Sequence, residues 1–165
     1  MSPSTNSKQP RLPVLIALNT TGWLIVALCW ALVLVHYAQL PETIPTHFNG
    51  LGQADNYSEK SAIFFLPVIL TVLYTLLTVL AQHPKTFNYP VAITPENKEL
   101  QYSNSRYLLA SIQLSLAVIF TLITYYSMRA AILQLKEIPV WLLPLALGLI
   151  FVPLFVFLLR STKNK

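Results

Sequence analysis

Residues 40–60, LPETIPTHFNGLGQADNYSEK, gather His47, Asn49, Asp55 and Lys60 into one short polar stretch. A histidine beside a carboxylate is a general base, and a lysine or asparagine can stabilise developing negative charge. Glu42 could join the group, although nothing in the spacing requires it. One His and one Asp fall short of a complete metal site, so the stretch calls for no metal and names no cofactor. Pro41 and Pro45 stiffen the chain, Asn49-Gly50 is a strong turn signal, and Gly52 adds a permissive backbone position. Together they predict a tightly folded loop that brings the four polar side chains closer than their separation in sequence. Each residue also has a plain structural explanation. Asp55 can bind N–H groups in the turn, Asn49 can take a positive-φ position, Lys60 can snorkel to headgroups, and His47 can pack beside Phe48 at an interface. As a group on an ordered loop they form a candidate surface for a ligand or partner.

The elements around this loop are apolar. The chain of 165 residues is 55% hydrophobic and 10% charged, outside the range of ordinary soluble domains. Its apolar residues fall in four runs, at about 13–38, 62–81, 107–128 and 140–159. Each is long enough to cross a hydrocarbon core of about 30 Å as a helix. Apart from Arg129 and Arg160 at the edges, no Asp, Glu, Lys or Arg interrupts them. Lipid-exposed backbone must satisfy its hydrogen bonds internally, so the expected fold is an all-α integral membrane protein with four transmembrane helices. The first run is expected to be kept rather than removed as a leader, being too long and lacking a small-x-small cleavage site.

Basic residues orient the spans. Lys8, Arg11, Lys85, Lys98, Arg106, Arg160, Lys163 and Lys165 fall on one side, and Lys60, Arg129 and Lys136 on the other. Both termini are therefore expected in the cytoplasm and the 39–61 loop outside. Tyr37, Tyr125, Tyr126 and Trp141 fit an outer aromatic belt. The net charge of +5 is accounted for by topology and anionic headgroups, and nothing points to nucleic acid.

Residues 1–12 read as a disordered cytoplasmic tail, 13–81 as a unit of two helices and the outer loop, 82–106 as a cytoplasmic loop with a helical extension, 107–160 as helices three and four, and 161–165 as a second tail. Trp23 and Trp30 share a face expected to pack on a neighbouring helix. Asn56 and Glu59 have the spacing of a capping box opening the second helix. Thr71, Tyr74, Thr75 and Thr78 form a stripe expected to bond between helices. Thr94-Pro95-Glu96 reads as an N-cap, a proline at N1 and a first-turn acid, so a helix should run from there into the third span. Pro144, Gly148 and Pro153 should bend the fourth. Cys29, inside the first span, reads as a small hydrophobe. No internal repeat and no midplane charge argue for a transporter, although a complex subunit stays open.

The string Leu40-Pro41, Ile44-Pro45, His47-Phe48-Asn49, Gly52, Asp55 and Lys60 resembles the LP-x-x-IP-x-HFN-x-x-G-x-x-D-x-x-x-x-K signature of domain of unknown function 1648, a bacterial membrane family that includes SdpI-like immunity proteins. The resemblance covers about the first 80 residues. Phe87-Asn88-Tyr89-Pro90 and Thr94-Pro95-Glu96-Asn97 look like a related but weaker tail. It implies His47, Asn49, Gly52, Asp55 and Lys60 as motif positions. It also implies a place in the inner (cytoplasmic) membrane of a bacterium, and a role in protecting cells from a secreted peptide and holding a repressor at the membrane. The reading therefore favours recognition of a peptide or envelope ligand over catalysis, with the lipid bilayer and a peptide or protein as partners. A membrane enzyme in which His47 and Asp55 act on a lipid is the alternative.

Overall fold

The computed structural model describes residues 12–163; of the tail read as 1–12, all but Leu12 lies outside the described residues. Among the described residues four helical segments are long and apolar enough to cross a membrane, Leu12–Gln39, Lys60–Leu80, Lys98–Ile132 and Leu142–Lys163; their α-helices are α1 (Leu12–His36), α2 (Phe65–Leu80), α3 (Lys98–Ile132) and α4 (Leu142–Lys163). The fold is mostly helical, as the apolar runs dictate. One element was not foreseen: two antiparallel strands, β1 (Thr43–Phe48) and β2 (Ala54–Glu59), between α1 and α2.

α3 is the central helix, and α1, α2 and α4 each pack on it. Its buried positions Ala110, Gln113, Ala117, Thr121, Thr124, Met128 and Ala131 recur at intervals of three and four, which is the spacing of one helix face. Small residues on that face let backbones approach closely, and its polar groups bond across helices. Gln113 Nε2 donates to Thr78 Oγ1 at 2.7 Å and to the Tyr74 carbonyl at 3.1 Å. Ser115 Oγ donates to the Leu149 carbonyl at 2.7 Å. Cys29 is fully buried, with its Sγ 3.6 Å from Thr124 Oγ1.

The tryptophan face and the α2 stripe do what their spacing predicts. The Trp23 ring lies 4.7 Å from that of Tyr74, and Trp30 Nε1 donates to Thr71 Oγ1 at 3.0 Å. Tyr74 is fully buried and donates to the Asn19 carbonyl. Thr75 differs, bonding only the Thr71 carbonyl of its own helix on an exposed face. A Cβ at Gly22 would collide with the Tyr74 hydroxyl and ring, so any larger residue there must displace the Tyr74 side chain.

At the other end of the bundle the third helix begins three residues later than expected: Asn97 and not Thr94 is its N-cap, and Pro95 and Glu96 lie in the turn before it. Thr94 Oγ1 accepts from the Asn97 N–H and Asn97 Oδ1 accepts from the Thr94 N–H, a reciprocal pair of the capping-box kind. A turn at 95–97 leads into regular helix from Lys98, which then runs unbroken for 35 residues. The cap assigned to Asn56 is corrected. Asn56 lies in β2 opposite His47, where strand pairing rather than a helix end engages the backbone. Glu59 closes the same strand, and a 3₁₀ turn over Lys60–Phe64 leads into α2.

Candidate functional site

The 40–60 loop is a β-hairpin whose inner face is anchored and whose outer face is polar. Ile44 (1% exposed) and Leu40 (4%) pack with Val33, Ile63, Met128 and Ala131 over the ends of α1 and α3. This anchoring offsets the marginal stability of an isolated two-stranded hairpin.

The turn depends on two residues. Asn49 Oδ1 accepts from the Leu51 and Gln53 N–H groups at 2.9 and 3.1 Å, an Asx-type turn. Asn49 thus acts through its side chain and not through the positive φ expected of it; among the described non-glycine residues only Gln134 has a positive φ. Gly52 has φ +78°, and a Cβ there would fall 2.4 Å from the Ile138 carbonyl oxygen. That close approach is itself a tether. Ile138 N donates to the Gly52 carbonyl and Ala54 N to the Lys136 carbonyl, both at 2.8 Å. The connection between α3 and α4 therefore holds the hairpin tip from outside.

His47 and Asp55 meet. Register shifts between Pro45 and His47 and between His47 and Phe48 leave Asp55 without a strand partner. Such irregularities re-aim side chains, and His47 Nδ1–H donates to Asp55 Oδ1 at 2.5 Å, both residues being exposed. This bond fixes which ring nitrogen carries the proton. Lys60 stands apart at the base of the hairpin. It pairs with Glu42 at 2.8 Å and lies 5.6 Å from the Tyr37 ring centroid. It is about 16 Å along the strand from His47, at about 3.3 Å per residue. The structure thus divides the group into a His47–Asp55 pair, an Asn49–Gly52 turn and a Glu42–Lys60 clasp. Among the described residues no three of His, Cys, Asp and Glu come together to hold a metal.

Below the hairpin lies a cavity of about 510 Å³, within the usual range for ligand sites. Thr46, His47 and Ser58 line its hairpin end, and Phe65, Leu66 and Ile123 its deeper part. Leu142, Leu143 and Ala146 at the start of α4 form the facing wall. These apolar lining residues were not singled out from the sequence. Nothing in an apolar span marks which face will border a cavity before the helices are placed.

Residues 24–71 match the family described as Domain of unknown function (DUF1648). The match runs from the middle of α1 through the hairpin into α2, so the DUF1648 segment contains His47, Asn49, Gly52, Asp55 and Lys60. A protein of Archaeoglobus fulgidus described as "Uncharacterized protein" is 29% identical over 82 residues, 45% of this chain and 45% of that relative. The aligned part thus spans less than half the relative's length. No solved structure matches.

Proposed function

We propose that this protein, similar to DUF1648 over residues 24–71, recognises an envelope ligand, a peptide or a lipid-like molecule, at the hairpin, with the hairpin outside the cytoplasmic membrane of a bacterium and both termini within. The observation that carries the reading is that His47, paired with Asp55, lines a cavity bounded on one side by the anchored hairpin. Ordered polar groups at the edge of an apolar cavity are the usual form of a specific ligand site. The basic residues supply the orientation. α3 offers a route for signalling, of the SdpI-like immunity kind, because one unbroken helix of about 52 Å joins the hairpin end to the opposite end.

A second reading has one specific observation in its favour. Direct contact of His47 with Asp55 is the geometry a general base requires, so a lipid-modifying enzyme at the outer interface is the alternative. Hydrogen–deuterium exchange on the protein in nanodiscs, with and without bacterial envelope extract, tests recognition. Slower exchange confined to residues 43–59 and abolished by His47→Ala is the expected result. Unchanged hairpin exchange, or protection only at residues 82–97, contradicts it.

A further inference from the structure

The cavity under the hairpin has a polarity gradient along one axis. Thr46, His47 and Ser58 bring hydroxyl and imidazole groups to the hairpin end, whereas Leu66, Ile123 and Ala146 line the part set among the helices. Ile123 lies nine residues before the end of α3, which puts this part about 14 Å below the helix end at 1.5 Å per residue. α2 and α4 lean on α3 rather than chiefly on one another. The groove between them is therefore open sideways, toward the bilayer in a multi-pass protein. Phe65 and Leu143, on its two sides, are 67% and 51% exposed.

We propose that this groove takes the acyl chain of a membrane lipid, with the lipid's polar head group held at Thr46, His47 and Ser58. The inference rests on the reading of the hairpin as a recognition site and narrows its ligand class. A peptide segment lying as deep as Ile123 would bring N–H and C=O groups that must all find partners. The groove offers few there beyond the Ser127 hydroxyl. A hydrocarbon chain makes no such demand, and its head group meets hydrogen-bonding side chains only where the groove has them. Bilayer lipid also reaches the groove laterally, without crossing the hairpin.

The test is photo-crosslinking of the full chain in nanodiscs containing a phosphatidylglycerol with a diazirine on its acyl chain, the adducts being mapped by mass spectrometry. Adducts concentrated at Leu66, Ile123 and Leu143 are expected. Ala146→Phe should reduce them roughly tenfold, the loss expected when about two methylenes are expelled from an apolar site. Leu147→Phe, one residue on and outside the groove, should leave them unchanged. Leu66→Trp obstructs the opposite wall and guards against misfolding of the first variant. Adducts spread evenly over the exposed faces of α1 and α4, or insensitive to both blocking variants, overturn the proposal. If envelope extract still protects the hairpin while the groove gains no adducts, recognition stands and the lipid assignment falls. If an added apolar peptide removes the groove adducts at a fixed lipid content, a peptide and not a lipid is the preferred occupant.

Discussion

His47 and Asp55 are both exposed, and paired exposed groups contribute at most about 1 kcal/mol to stability. Asp55→Asn and His47→Ala are therefore expected to change the melting temperature little while abolishing ligand-dependent protection of the hairpin. Unfolding of either variant would move these residues from recognition to structure. Gly52 is the opposite case. Gly52→Ala forces a left-handed backbone on alanine, at about 1–2 kcal/mol, and drives its Cβ into the Ile138 carbonyl. Limited proteolysis should then cut at residues 49–54 in the variant and spare the parent. The sequence showed His47, Asn49, Gly52 and Asp55 because polar residues and glycines stand out against apolar surroundings. It did not show that Lys60 belongs to a separate pair with Glu42, because strand register, unlike composition, decides which of two lysine neighbours is reached.

At the scale of elements, the apolar runs revealed four helices, and the Trp23/Trp30 face and the threonine stripe revealed much of the α1–α2–α3 packing. The hairpin escaped notice because the alternation in TIPTHF and ADNYSE is weak, and β2 shows no apolar face at all. Its strands are held by Ile44 and by the α3–α4 connection, both tertiary effects that override local preference. Asn56 could be mistaken for a helix cap for the same reason. The α1–α2 contact gives a direct check. Gly22→Ala places a methyl group against Tyr74 and should break its bond to the Asn19 carbonyl, with a loss of roughly 1–3 kcal/mol as in other overpacked cores. Gly22→Ala combined with Tyr74→Phe should recover part of that loss if the hydroxyl is the obstacle. Thermal denaturation in detergent measures both. At the start of α3, the Thr94 hydroxyl and a backbone N–H hold the Glu96 carboxyl below the ordinary carboxylate value. Folding therefore favours the ionised form. Its contribution is complete above about pH 4.3, the ordinary glutamate value, and is lost as pH falls through the lower folded value. Protection factors of the 98–102 amides, taken relative to the intrinsic exchange rate at each pH, should fall on acidification in the parent and fall less in Glu96→Gln.

For the whole molecule, α3 is the scaffold, and the hairpin with its groove is the proposed ligand site. α4 is mostly exposed and meets the rest of the bundle through α3, as expected of a helix bordered largely by lipid. The orientation is testable in a Cys29→Ala background. A membrane-impermeant maleimide should label Tyr57→Cys in intact cells and Lys85→Cys only after permeabilisation. The reverse pattern would turn the hairpin toward the cytoplasm and overturn the proposal that it is an outer receptor. The most direct measurement of the central claim is native mass spectrometry of the nanodisc-purified protein beside His47→Ala. A discrete mass adduct on the parent, lost or greatly reduced in the variant while both remain folded, is the result expected of a ligand site at the hairpin. Spectra with the same adducts in both proteins, or with none in either after enrichment with envelope extract, would contradict it and leave His47 a surface residue.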